Sequence, residues 1–448
     1  MRFRLRIGVA VVGALLSGAA LAQETEIELL RAEVEQLRAD YDARIVELER
    51  RLAVAEQNAN AASYAVQSDA AAQQAPVSRS TGAAAYNPSI GVIFQGQVWQ
   101  HENDPEGYAV QGTPFGGEAG PFSEGLSLGE TELIFNANVD DKFSAWLTAA
   151  LAIEDGEAVA EIEEAFVETT ALPAGLGAKF GRFFSGIGYL NSKHAHTWDF
   201  ADQPLPYQAF LADQYADNGL QVRWLAPTSL FFEMGAEVFQ GSGYPAGGSA
   251  NSGFGSYSLF ANIGGDAGTG GSWLAGVSYL DAEAVERASG DEDEPFLFSG
   301  DSTLTSAHFV WKWAPDGNWK QRNLVFQSEL FWRNDDGNFE LPVSSVLAYD
   351  ADQEGWYAQA VYQPVPRWRF GARIDGLSGD SPGASFEGTP LALRSNDPRR
   401  YSLMTDWSNS EFSRLRLQFI RDEAGPEDAN QWGIQYIHSI GAHGAHAF

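Results

Sequence analysis

Cysteine is absent from the 448 residues, which excludes disulfides, thiolate metal centres and a cysteine nucleophile. Positive charge is scarce: 28 Lys and Arg stand against 60 Asp and Glu, a net charge of −32. A nucleic-acid partner is thereby excluded, because a phosphate backbone must be met by an excess of basic side chains. Long apolar runs are missing as well. Beyond the first 22 residues there is no stretch of 18 consecutive apolar residues, so no later transmembrane helix is expected, and a membrane form of this chain must be built from strands. Catalytic signatures are also lacking: there is no G-x-S-x-G, no Gly-rich phosphate loop ending in Lys-Ser/Thr, no H-E-x-x-H and no EF-hand loop. The expectation is a protein that is not an enzyme and needs no cofactor.

What is present divides into four parts. Residues 1–22, MRFRLRIGVAVVGALLSGAALA, place Arg2, Arg4 and Arg6 before a short apolar run and end in Ala20-Leu21-Ala22, the pattern of a cleaved secretory signal peptide. Residues 23–57 carry apolar positions at Ile27, Leu30, Val34, Leu37, Tyr41, Ile45, Leu48, Leu52 and Ala55. That is a heptad seam with one four-residue stutter, and it predicts a coiled coil needing partner helices. A single solvated helix is the alternative for so charged a segment. Residues 58–87 lose all periodicity in favour of Ala, Gln, Ser and Gly and read as a flexible linker.

From 88 to 448 the texture is short stretches of period-two alternation rich in aromatic and β-branched residues, separated by Gly, Asp, Asn and Pro. Trp368, Phe370, Ala372 and Ile374 fall on one face with Arg367, Arg369, Arg373 and Asp375 on the other; Leu415, Leu417 and Phe419 oppose Arg414, Arg416 and Gln418. Sixteen such stretches occur, including 271–281, 302–314, 321–334 and 354–363. Tight turns such as Pro227-Thr228 alternate with long connections read at 282–300 and 377–398. This predicts an all-β, transmembrane antiparallel barrel of about 16 strands, with short periplasmic turns and long external loops. Trp224, Trp311, Trp313, Trp332, Trp368, Trp407 and Trp432 near strand ends suit interfacial girdles. The last stretch, NQWGIQYIHSIGAHGAHAF, ends in Phe448, the terminal aromatic read by the barrel-assembly machinery of Gram-negative outer membranes.

EEAFVET (163–169), GAKFGRFFSGIGYLN (177–191), HTWDFADQPL (196–205) and DNGLQVRWLAP (217–227) make the chain similar to the phosphate-selective porin O/P-like superfamily. More narrowly it resembles the outer-membrane porin-like proteins often labelled zinc-regulated outer membrane receptors. The resemblance covers roughly 88–448 and implies a trimeric, solute-conducting barrel of sixteen strands. The lysine-rich ladders on which that family's phosphate selectivity rests have no counterpart here, because lysine is confined to Lys142, Lys179, Lys193, Lys312 and Lys320.

If the apolar faces meet lipid, Arg182, Arg223, Glu233, Glu237, Gln327, Glu329, Arg369, Arg373, Arg414 and Arg416 line the lumen, as ion-selecting rings or as ordinary polar wall. The acidic segments 281–295, 333–340 and 350–354 read as external loops: a solvated surface, a cation funnel, or a place where divalent ions bridge to lipopolysaccharide. Residues 185–215, with Tyr189, Leu190, Trp198, Phe200, Leu205, Tyr207, Phe210 and Leu211, are too apolar to wave in water. They read as a constriction loop folded into the barrel, carrying His194, His196, Trp198, Asp199 and Asp202. The imidazoles and carboxylates of His194, His196, Asp199 and Asp202 have the donor chemistry of a metal site, whereas the aspartates suit turn caps or pairing with Arg182 or Arg223 equally well. His438, His443 and His446 are either a metal-binding tail or residues of the closing edge.

The functional expectation is an outer-membrane porin passing small hydrophilic solutes or ions, homotrimeric through coiled coil and barrel, with the coil in the periplasm. Alternatives are a zinc-linked outer-membrane binding protein or receptor, and a tether to the cell wall.

Overall fold

Alternating side chains demand a sheet with two unlike faces, and here the sheet closes on itself. A computed structural model describes residues 88–441 except 106–107, 118, 155–156, 248–250, 252, 292–293, 343–344 and 393–396. The signal peptide, coiled coil, linker, His443, His446 and Phe448 lie outside the described residues. The strands are β1 (Ser89–His101), β2 (Gly125–Leu128), β3 (Thr131–Asn138), β4 (Phe143–Glu154), β5 (Glu157–Thr169), β6 (Leu176–Phe184), β7 (Ala216–Leu225), β8 (Phe231–Phe239) and β9 (Ser256–Asp266). They continue as β10 (Gly271–Ser289), β11 (Phe296–Trp313), β12 (Asn323–Leu341), β13 (Ser345–Val365), β14 (Trp368–Gly379), β15 (Arg399–Ser410), β16 (Ser413–Asp422) and β17 (Ala429–Gly441). One short helix, α1 (Leu205–Leu211), completes the described elements longer than a single turn.

Neighbouring strands pair antiparallel, and β17 returns to β1, so the sheet closes on itself. Two strands share one position. Gly96–Trp99 of β1 pair with β2, and Ser89–Ile93 with β3, so these two are one strand interrupted at Gly129 and Glu130. The seventeen segments therefore make a closed barrel of sixteen strands.

The outer face is apolar and the inner face polar. Leu403, Leu417 and Ile434 are 58, 48 and 42% exposed, while Ser402, Gln418 and Gln435 opposite them are buried. So continuous an apolar exterior is unstable in water and suits a lipid surface. Trp368 faces Trp407 across β14 and β15 near the short-turn end. Nine residues along β12 from Asn323 stands Trp332, and nine along β17 from Gly441 stands Trp432. Nine residues at about 3.3 Å each, tilted by about 40°, give roughly 23 Å of height, close to the apolar band of an outer-membrane barrel.

Beyond that level the faces exchange character. The outward positions of β12 run Leu330, Trp332, Asn334, Asp336, Asn338 and Glu340, while inward ones become Phe339 and Leu341. On β13 the outward series passes from Trp356 to Glu354, Asp352 and Asp350. A second core of Phe298, Phe339, Tyr349, Phe386 and Leu391 fills the interior there. The strands β10 to β13 thus rise past the apolar band as a sheet with the polarity of a water-soluble protein.

This corrects the reading of 282–300 as a long loop and of the acidic segments as loops. Residues up to Ser289 belong to β10, and all of 333–340 and 350–354 lie within β12 and β13. Their acidic side chains are mostly the wet face of a sheet. Asp335 is the exception, buried between Arg287 and Arg333 at 2.8 and 2.7 Å.

Candidate functional site

The connection between β6 and β7, residues 185–215, touches inward side chains all round the barrel. It meets β3 through Glu132, β5 through Glu164, β8 through Glu237, β12 through Glu329, β14 through Asp375 and β16 through Gln418. A segment in contact with opposite walls can run only through the lumen. All seven residues of α1 are buried.

The ends of the segment are tied together first. Asn191 donates to the carbonyls of Ser185 and Tyr215 and accepts from the Tyr215 amide, at 2.9, 2.9 and 2.7 Å. Helix α1 begins after Pro204 and ends where Ala212 and Asp213 turn left-handed (φ 49° and 68°), so it lasts only two turns. Its Tyr207 hydroxyl donates to Glu329 at 2.9 Å and accepts from the Leu190 amide at 2.8 Å. Glu329 also accepts from the Tyr357 hydroxyl and the Tyr189 amide, at 2.5 and 3.0 Å. One buried carboxyl group thereby fixes helix, loop and wall.

The stretch KHAHTWDFAD divides between two walls. Its histidines face glutamates: His194 Nε2 lies 3.0 Å from Glu164 Oε2, and His196 Nδ1 lies 2.6 Å from Glu132 Oε1. An ionised carboxylate only accepts, so these ring nitrogens carry the hydrogen. Its aspartates face arginines. Asp199 pairs with Arg369; Asp202 accepts from Arg373 at 2.7 Å, Arg400 at 3.3 Å and Gln418 at 2.5 Å. Arg414 and Arg416 donate to the carbonyls of His196 and Trp198, at 2.5 and 2.6 Å, and the Trp198 indole closes back on Lys193 O at 2.6 Å. The four residues expected as one metal set therefore do not converge: arginines occupy both aspartates, while the histidines turn the other way.

Glu237 accepts from Ser185 Oγ, the Gly186 amide and Gln221, at 2.6, 2.9 and 2.6 Å. Gln327 is buried beside Tyr357 and Gln359. Arg223 and Glu233 open on a cavity of about 690 Å3 between the segment and β6 to β11, shared with Lys179, Lys193 and Asp266. Arg182 is a correction. It shares the parity of Phe180, 70% exposed, and reaches the Ile162 carbonyl and Glu161 across a stretch where β5 no longer pairs with β6. It stands off the lumen face because Lys179 and Gly181, not Arg182, hold the inward positions.

Sequence reasoning missed Glu132, Glu163, Glu164, Arg400 and Asp406. A bulge explains the paired glutamates. Thr148 of β4 pairs with Glu164 and the next residue, Ala149, with Ile162, so Glu163 is the extra residue, and both carboxylates are buried on the lumen side. Burial opposes charging of His194, on the connecting segment, but its hydrogen bond to Glu164 and the neighbouring carboxylates of Glu163 and Glu132 hold its pKa well above the ordinary imidazole value.

No family model matches the chain. Among solved structures it is similar to OprB of Pseudomonas putida, with 11% identity, a TM-score of 0.50, and 79% of this chain and 94% of the other covered. It is also similar to the outer membrane channel DcaP of Acinetobacter baumannii, with 14% identity, a TM-score of 0.48 and coverage of 80% and 99%. The likeness to OprB shows a fold of the porin-barrel type. At 32% identity over 362 residues, which cover 74% of this chain and 72% of its relative, the chain belongs to the same family as an Aquifex aeolicus (strain VF5) protein described as uncharacterized.

Proposed function

We propose that the protein is a porin of a Gram-negative outer membrane, passing small hydrophilic solutes or ions by diffusion through a lumen narrowed by residues 185–215. The observation that carries this reading is the charged segment held against two unlike walls inside a barrel whose exterior is apolar. A purely structural barrel has no need of an interior lined by Arg369, Arg373, Arg414 and Arg416 on one side and glutamates on the other, since apolar packing fills a closed core at lower cost. The arginines and acids screen solutes by charge, and the buried helix screens them by size. Short turns face the periplasm and the β10 to β13 extension faces outward, its acidic rim lying at the level of lipopolysaccharide.

In this reading residues 1–22 are removed on export, 23–57 form a periplasmic coil that aligns a homotrimer, 58–87 tether it, and Phe448 presents the last strand to the assembly machinery. No cofactor and no catalytic residue are assigned.

Planar-bilayer recording tests it. The full-length protein should give stepwise openings, and removal of 204–213 with a short Gly-Ser bridge should raise the unit conductance several-fold. A barrel that conducts nothing in either form overturns the proposal.

A further inference from the structure

The glutamate wall contains more than the two histidines need. Glu163 is 8% exposed, and its Oε2 has no hydrogen-bond partner; His194 is 9% exposed, and its Nδ1 has none either. These two atoms point at one another across 3.7 Å, and His194 Nδ1 lies 3.5 Å from Glu132 Oε2. Both separations are too long for a hydrogen bond. They are, however, the spacing of neighbouring ligands about a tetrahedral cation: metal–ligand bonds of about 2.0–2.2 Å at tetrahedral angles put donor atoms roughly 3.3–3.6 Å apart. All three donor atoms fall within 4.8 Å of one another.

We infer that Glu132, Glu163 and His194 form a site for a divalent transition-metal cation of the zinc type, which staples the lumen segment to β3 and β5.

Three further features fit. Glu164 accepts from His194 Nε2 at 3.0 Å, which leaves the hydrogen on that nitrogen and the lone pair of Nδ1 facing the gap. A carboxylate oriented behind a ligating imidazole in this manner fixes ring and tautomer in metal sites generally. His196 holds the other oxygen of Glu132 at 2.6 Å, orienting the second ligand in the same way. Charge is the third feature. Glu130 lies beside Glu163 and Glu132, so four carboxyl groups crowd against two imidazoles and, at Glu164, the Lys179 ammonium, an acidic excess that a buried setting does not tolerate uncompensated. A proton on His194 removes one unit of that excess; a cation bound at Nδ1 removes two. One imidazole with two carboxylates and an open fourth position suits zinc or its first-row neighbours better than calcium or magnesium, which prefer oxygen alone. This inference is independent of conduction, because a barrel that passes nothing could still hold the ion.

The test uses the full-length protein in detergent, stripped with a chelator and then titrated with zinc chloride, the metal content being measured after desalting. One zinc per chain is expected, and cobalt(II) in its place should give the visible absorption bands of a tetrahedral site. Glu163→Gln, which keeps size and hydrogen-bonding capacity, should weaken zinc binding at least about tenfold, as should His194→Ala. The triple variant His438→Ala, His443→Ala, His446→Ala should bind as the parent does. Heat-modifiable migration in gels checks that each barrel is folded. No stoichiometric zinc in the folded parent overturns the inference, as does equal binding by folded Glu163→Gln. Loss of binding in the C-terminal triple variant moves the site elsewhere and overturns it too.

Discussion

The two walls that grip the lumen segment are unlike. On β14 to β16, Arg369, Arg373, Arg400, Arg414 and Arg416 stand among Asp199, Asp202, Asp375, Asp406 and Asp422. Charge there is nearly matched, five guanidinium groups to these five aspartates and the nearby Asp213, and nearly every guanidinium has a carboxylate at bonding distance. Around β3 and β5 the described acids Glu130, Glu132, Glu163 and Glu164 outnumber the bases facing them, His194, His196 and, beside Glu164, Lys179. The segment reads both walls with ten residues, turning its bases to the acids and its acids to the bases. A matched buried network loses most when one member is removed, because the partner is stranded; an over-acidic cluster loses little, and can gain, when one acid is neutralised.

Four substitutions break or sharpen this contrast. The largest effect is expected from Asp202→Ala, which takes from Arg373 its nearest carboxylate and leaves Arg400 with Asp422 alone, both arginines being 3% exposed or less: about 3 kcal/mol lower stability, read from the urea midpoint of the folded barrel in detergent. Glu329→Ala follows, since two tyrosine hydroxyls and the Tyr189 amide lose their acceptor; about 2–3 kcal/mol is expected, with noisier single-channel current as the segment loosens. In chelator-stripped protein, Glu163→Gln should shift stability by under about 1 kcal/mol in either direction. A loss as large as that of Asp202→Ala would mean that the walls are alike after all. Smallest is Arg223→Ala, whose partner Glu168 sits 3.6 Å away and whose side chain is 45% exposed. Solvent screening leaves no more than about 0.5 kcal/mol there, and the expected readout is a salt-sensitive change in ion preference alone.

Much of this was legible in the residues. Strand positions from 88 to 440 followed from period two, and the burial of residues 185–215 followed from an apolar content too high for a free loop. The extension of β10 to β13 was hidden because acidity was weighed above alternation. Tyr349, Asp350, Ala351 and Asp352 alternate as strictly as the spanning stretches do, with polar residues outward instead of inward. Arg182 was misplaced because one glycine-rich strand gives few side chains from which to read parity. The glutamate wall was hidden by a bulge, which one sequence cannot reveal, since it is defined by the partner strand. Which residue of KHAHTWDFAD meets which wall depends on contacts as many as 218 positions apart in the chain, beyond any local pattern.

The exchange of polarity along β12 and β13 also acts as a depth gauge. A barrel with a uniform apolar exterior could bob in its membrane at little cost, but here the outward series passes from Trp332 to Asn334 and Asp336 within two turns of the pleat. Sinking by one residue pair would carry Glu354 and Asp352 into hydrocarbon, and rising by one would expose the tryptophan level to water; charged groups facing lipid cost up to a few kcal/mol each. The barrel is therefore held at one height. The membrane around it must match the level at which leucine gives way to aspartate.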